Sequence, residues 1–325
     1  MRFALSLLLL GFFAALSAKL SSAAELPGIS GFIDEMVAKH QFRRDELEKV
    51  FARAQHRPDV IEAISRPATI KPWPEYRAAF VNPKRVKLGL EFWRKYRQTL
   101  RRAEKKYGVP QEIIVAVIGV ETIYGRNAGN FLVLDALTTL AFDYPRRADF
   151  FRSELEHYLL LAREQQFDLL AIRGSYAGAM GIPQFMPGSY RNYAVDFNGN
   201  RTVDLLRENV DAIGSVANYL QGYGWIRGEP VAVRARAGGE LPAGEARASR
   251  SLAEWMAAGV APASDFAPDK SARLLDFTVE EGKEFWLAFN NFEVITRYNN
   301  SDYYAMSVFQ LAEEIKVARK ANLTK

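Results

Sequence analysis

Apolar positions recur at helical spacing through most of the chain. Phe32, Met36 and Val37, then Leu47, Val50 and Phe51, predict helices near the N-terminus. A Pro-rich loop from Pro67 to Pro74 interrupts them, and Pro83 opens a long amphipathic stretch that Tyr107-Gly108 stops. Pro110 stands at a helix start with Glu112 in the first turn, and the run from Ile113 to Tyr124 is almost wholly apolar. Further helices are predicted from Pro145 to about Gln166, from about Glu208 to Tyr223, and from Asp302 onward. The texture changes between 228 and 290. Val231, Val233 and Ala235 alternate with other residues, and Ser251 with Glu254 forms a capping box for a short helix ending at Gly259. Leu274 to Thr278 and Glu284 to Phe289 flank Glu280-Glu281-Gly282 as a hairpin. The pattern predicts a mainly α (α+β) protein. It has an N-terminal helical subdomain (25–110), a helical core (111–227), a small β-containing subdomain (228–290) and a C-terminal segment with a helix (291–325).

Residues 1–24 read differently. Met1-Arg2, the apolar run Phe3 to Leu16 and the small residues Ser21 to Ala24 have the order of a secretory signal peptide. The alternative is a membrane anchor, but the run is short for a bilayer span and no later stretch is long enough. The chain has no cysteine, which excludes disulfides, thiolate catalysis, cysteine-based metal sites and an N-terminal lipid on cysteine. An exported chain of this size without cysteine fits a bacterial periplasm. The net charge is +5, or +3 without Arg2 and Lys19 of the leader. That is too weak and too spread out to argue for nucleic acid, and Arg101-Arg102 and Arg146-Arg147 read as solvated helix surface.

One acid stands near the end of the apolar run. Ile114, Ile118 and Glu121 are spaced to share a helix face, so Glu121 points with the isoleucines into the interior or a cleft. Burial raises a carboxyl pKa, and an acid that stays protonated near neutrality is what glycosidic cleavage requires. The alternative is a structural Glu121 paired with Arg126 or another base. The segment Gly174 to Pro187 adds four glycines, which let a ligand approach the backbone. It also carries Tyr176 and Phe185 as flat surfaces for sugar rings, and Ser175 and Gln184 as hydrogen-bonding groups.

Together these segments resemble the lytic murein transglycosylase B family. The matching blocks are Gly119-Val120-Glu121-Thr122 with Tyr124-Gly125-Arg126, Gly174 to Pro187, and Asp211 to Tyr219. Tyr298-Asn299-Asn300-Ser301 with Tyr303 to Met306, and Trp73-Pro74-Glu75-Tyr76, complete the set. They cover nearly the whole chain beyond the leader, in the right order. The resemblance implies a lysozyme-like helical catalytic core of the goose type, with Glu121 at the position of the catalytic acid/base. It places Tyr76, Ser175, Gln184, Tyr219, Tyr298, Asn299 and Tyr304 along a glycan cleft.

The expected activity is that of a periplasmic lytic transglycosylase, cleaving the MurNAc-β-1,4-GlcNAc bond of peptidoglycan and leaving 1,6-anhydro-MurNAc ends. The expected partner is the glycan strand, with no nucleic acid and no membrane span in the mature chain. The protein is expected to be a monomer, and its mild basicity helps it approach an anionic wall. Two alternatives stand beside this. A second acid such as Asp135 or Asp143 facing Glu121 would make a lysozyme-type hydrolase, and loss of catalysis would leave a peptidoglycan-binding protein. A peptidase is poorly supported, since His40, His56 and His157 form no HExxH and there is no GxSxG.

No cofactor is expected to be required. A structural calcium ion is a further expectation, because Asp196, Asn198, Asn200, Thr202 and Asp204 follow EF-hand spacing. Arg201 stands where that loop has glycine and Arg207 where it has its last carboxylate, so Glu208 or Asp211 would have to substitute.

Overall fold

The computed structural model describes residues 22–66, 71–238 and 248–323. Most of the predicted leader, and residues 67–70 of the Pro-rich loop, lie outside the described residues. Ser22 to Glu25 lie inside. Ser22 bridges to Gln55, and Ala23 is fully buried, donating its N–H to Ala54 O at 2.8 Å. The sequence places the end of the leader at Ala24, whereas the structure packs Ala23 into the core.

Four helices come first: α1 (Ile29–His40), α2 (Arg44–Arg53), α3 (Pro58–Ser65) and α4 (Trp73–Phe80). The amphipathic stretch from Pro83 is two helices, α5 (Pro83–Lys95) and α6 (Arg97–Tyr107), broken at Tyr96 (φ −108°, ψ 24°). Asn82 caps α5 by accepting from Arg85 N–H at 3.0 Å, with Pro83 in the first turn, and Gly108 closes α6 in the left-handed region. The central helix α7 (Gln111–Thr122) is buried on nearly every side, as its apolar run requires. A two-residue strand β1 (Phe131–Leu132) leads to α8 (Val133–Asp143) and α9 (Ala148–Gln165). Then come β2 (Arg173–Gly174), α10 (Pro187–Tyr193) and α11 (Asn209–Gly222).

The predicted β region holds β3 (Ala232–Ala237), β4 (Ser249–Ser251), α12 (Leu252–Ala257), β5 (Val260–Pro262), β6 (Ser271–Val279) and β7 (Gly282–Ala288). The five strands form one antiparallel sheet in the order β4-β6-β7-β3-β5. Ser251 and Glu254 make both hydrogen bonds of the capping box that starts α12. Helices α13 (Asn290–Thr296) and α14 (Asp302–Leu323) complete the chain. The fold is therefore mainly helical with one five-stranded sheet in the predicted region, beside a short antiparallel β1–β2 pair. Among the described residues no helix is long and apolar enough to cross a membrane.

Two contacts position the site. Helix α14 returns against α4, α5 and α7, which carries Tyr304 to the C-terminal end of α7 and Tyr303 to α4. Trp73 of α4 ties the sheet to the helices. Its indole N–H donates to Glu284 at 2.9 Å, and its ring lies 4.6 Å from that of Phe277.

Candidate active site

Glu121 is the penultimate residue of α7, and the chain turns sharply beyond it. Ile123 (φ 52°), Tyr124 (φ 61°) and Gly125 (φ 82°) all take positive φ, a conformation that costs a β-branched residue such as isoleucine real strain. The turn is held by Thr122, whose Oγ1 donates to Ile182 O at 2.8 Å and accepts from Gly125 N–H at 2.9 Å. Tyr124 folds back to donate to Arg85 O at 2.9 Å. Its hydroxyl would stand 2.6 Å from a Cβ on either Gly89 or Gly119, so glycine is required on both helices.

The Glu121 carboxyl is enclosed while the residue as a whole is half-buried. Loss of hydration pushes its pKa from the ordinary 4.5 up to about 7. The hydrogen bond from Tyr304 and the positive field of Arg85 pull the other way. Tyr304 Oη donates to Oε1 at 2.5 Å. Arg126, the partner weighed from the sequence, is exposed and its guanidinium points to Ile123 O. Arg85 is the basic group that acts on Glu121. It donates to Gly119 O and lies 5.2 Å from the Phe80 ring.

Neither acid weighed from the sequence faces Glu121. Asp135 lies buried in α8, accepting from Gln55 N–H at 3.0 Å, and Asp143 is paired with His56 at 2.8 Å. Tyrosines stand around the carboxyl instead. Tyr298 stacks beside Tyr304 (6.4 Å, 15°), and Tyr219 lies 4.8 Å from Tyr298. Burial raises the pKa of both phenols, and of Tyr76 on α4, and the Glu121 charge adds to each. Tyr219 and Tyr298 donate to backbone oxygens of Arg297 and Pro183, each at 2.6 Å, so their rings are fixed.

The Gly-rich segment forms two tight turns. Ser175 Oγ accepts from Ala177 and Ala179 N–H, and Gln184 Nε2 donates to Ala128 and Gly181 carbonyls. A Cβ at Gly174 would lie 2.2 Å from Ala179 O, which explains that glycine. Phe185, read from the sequence as a sugar platform, is buried behind Tyr219 and Tyr298, whereas Tyr176 is exposed. Asn299 is exposed in the turn before α14. Sequence reasoning missed Arg85 and Tyr303. Tyr303 packs between Trp73 and Tyr76 at 5.2 and 5.4 Å.

The EF-hand-like loop keeps its backbone shape. Arg201 takes φ 72° in the glycine position, and Asp196 accepts N–H groups from Gly199, Asn200 and Arg201. Arg207 stands where an EF-hand has its last carboxylate, so the donor set is one acid short at that position. Arg207 is 82% exposed and turned toward Asp204. Asp211 is fully buried and spends its oxygens on Phe197, Asn198 and Asp204 N–H, while the oxygens of Asn198 and Asn200 accept Asn200 and Thr202 N–H. Among the described residues no cluster of three or more His, Asp or Glu is placed for a metal.

An enclosed acid that accepts from a tyrosine, on a helical scaffold beside a glycine-rich turn, is an arrangement that can supply a general acid of the lysozyme type. The comparisons with known proteins agree. The Transglycosylase SLT domain model matches residues 25–313, and the chain belongs to that family of enzymes. Membrane-bound lytic murein transglycosylase B of Escherichia coli (strain K12) is 44% identical over 307 residues, covering 91% of this chain and 84% of that protein. Among solved structures, soluble lytic transglycosylase SltB1 from Pseudomonas aeruginosa is 47% identical with a TM-score of 0.85, covering 90% of this chain and 100% of that one. The Escherichia coli lytic transglycosylase Slt35 in complex with calcium is 44% identical with a TM-score of 0.85, covering 91% and 94%. SltB3 from Pseudomonas aeruginosa, in complex with NAG-anhNAM-pentapeptide, is 31% identical with a TM-score of 0.80, covering 89% and 78%.

Proposed function

We propose that this chain is a periplasmic lytic transglycosylase that cuts the MurNAc-β-1,4-GlcNAc bond of peptidoglycan, with Glu121 as acid and then base. The observation that carries this is the enclosed Glu121 carboxyl, with its pKa near 7 and Tyr304 on one oxygen. Such a group holds a proton at neutrality and releases it to a leaving oxygen.

Protonated Glu121 gives its proton to the bridging oxygen, the C1–O bond breaks, and GlcNAc leaves with a hydroxyl. The N-acetyl carbonyl of the muramyl residue stabilises the developing positive charge at C1. Glu121, now a carboxylate, takes the proton of the C6 hydroxyl, whose oxygen bonds to C1 and closes the 1,6-anhydro ring. The acid is restored and no water is consumed. Tyr304 and Arg85 steady the carboxylate between the two proton transfers. Tyr76, Tyr219, Tyr298, Ser175, Gln184 and Asn299 are assigned to the glycan cleft.

Retaining and inverting glycosidases place a second carboxylate beside the first. Asp135 and Asp143 are engaged elsewhere, which favours the intramolecular route over hydrolysis. The SltB3 complex with an anhydro-muropeptide supports the same product. The reaction needs no metal in this scheme, and the enzyme acts as a monomer with residues 1–24 as its export signal.

The test compares purified sacculi digested with wild type and with Glu121→Gln. Release of soluble muropeptides by wild type and its loss by a factor of roughly 10² to 10⁴ in the variant supports the assignment. Equal release overturns it.

A further inference from the structure

The net charge of +5 looks thin when spread along the chain, but it is concentrated in one place. Between Lys84 and Lys106, in α5 and α6, stand ten Lys and Arg and two acids, so the rest of the chain is net acidic. Ion pairs flank this segment at Arg77–Glu314 and Lys316–Glu112, yet among the described residues none of the ten is ion-paired. Glu104 is turned to Gln111, accepting its amide at 2.7 Å, so of the two acids in this segment only Glu91 lines the groove described next.

A groove of about 500 Å³ opens where α5 and α6 meet the end of α14. Lys87, Arg94, Arg97 and Arg319 line it together with Glu91, and Leu90 and Trp93 form its apolar wall. Arg319 stacks on Trp93 at 4.2 Å, which holds its guanidinium in place. None of these residues belongs to the glycan cleft. Arg85, the α5 residue that acts on Glu121, is turned away from the groove and donates to Gly119 O.

We infer that this face docks on an anionic phospholipid surface, with a headgroup phosphate seated in the groove. Three guanidinium forks around one groove match phosphate oxygens, which they hold two at a time. The other cations of α5 and α6 add to the positive field around the groove, and each cation that comes near such a surface is worth roughly a fivefold gain in partitioning. The apolar wall suits the glycerol backbone next to the phosphate.

The test is co-sedimentation of the full chain with phosphatidylcholine vesicles, with and without phosphatidylglycerol. Binding only to the anionic vesicles, lost in high salt, is expected. The triple variant Lys87→Glu, Arg94→Glu, Arg97→Glu should lose that binding by more than a hundredfold while keeping its melting temperature and its release of muropeptides. A control of equal charge change, Lys49→Glu, Arg53→Glu, Arg66→Glu, should keep most of the binding. Failure of wild type to sediment with anionic vesicles overturns the inference, as does equal loss in the control. Retention on purified sacculi through Lys87, Arg94 and Arg97, without vesicle binding, also overturns it and assigns the face to the carboxylates of the wall.

Discussion

Tyr304 lies 183 residues beyond Glu121 in sequence and donates a 2.5 Å hydrogen bond to its Oε1. This bond and the positive field of Arg85 favour the carboxylate, while enclosure favours the protonated acid more strongly, and together they set a pKa of about 7. Removing the hydroxyl in Tyr304→Phe should raise the pKa of Glu121 further. The upper limb of the activity–pH profile should move up by roughly one to two units, because a hydrogen bond to a charged group is worth roughly 1.5 to 3 kcal/mol. A profile that keeps its midpoint contradicts the role given to Tyr304.

Much of this site was legible in the sequence. The spacing of Ile114, Ile118 and Glu121 already put the acid on an apolar face, and the family resemblance drew attention to the tyrosine blocks. The hydrogen bond to Tyr304 was not legible, because it depends on α14 returning across α7. Arg85 was hidden for a similar reason. Its charge reads as part of a basic helix, and only the packing of α5 on α7 turns it toward Gly119. Helix α8 was missed because residues 133–141 are all buried and so show no amphipathic period. Phe185 misled because an aromatic beside glycines suits a binding loop and a buried turn equally well.

The raised pKa of Glu121 also has a stability consequence. With a folded pKa near 7 and an ordinary value of 4.5 when unfolded, the folded form holds the proton more tightly. The stability that this provides is full below pH 4.5, falls as pH rises through 7, and is absent above. Glu121→Gln removes the dependence. The variant should be more stable than wild type at pH 8 by on the order of 2 kcal/mol, with the gap closing toward pH 4. Denaturant unfolding at the two pH values measures it, and a gap that does not change with pH contradicts the enclosed acid.

Gly119 leaves room for the Tyr124 hydroxyl, and nothing larger fits. Gly119→Ala should lower stability by roughly 1 to 3 kcal/mol through overpacking, read as a drop in melting temperature. Adding Tyr124→Phe should recover part of the loss. A Gly119→Ala protein as stable as wild type would show that α5 and α7 do not approach as described.

At the 196–211 loop, the carboxylate expected last in an EF-hand is replaced by Arg207. Calcium should raise the melting temperature of wild type little, and Arg207→Glu should make the rise larger. The comparison is a thermal melt of each protein with calcium and with a chelator. A large calcium-dependent rise in wild type that Arg207→Glu does not increase contradicts the reading of Arg207 as the weakening residue.

The central claim is that Glu121 directs an intramolecular closure without water. The direct test is digestion of sacculi in heavy-oxygen water, followed by mass spectrometry of the muropeptides. The expected products carry 1,6-anhydro ends and no label, whereas reducing ends with heavy oxygen at C1 would make the enzyme a hydrolase and contradict the mechanism.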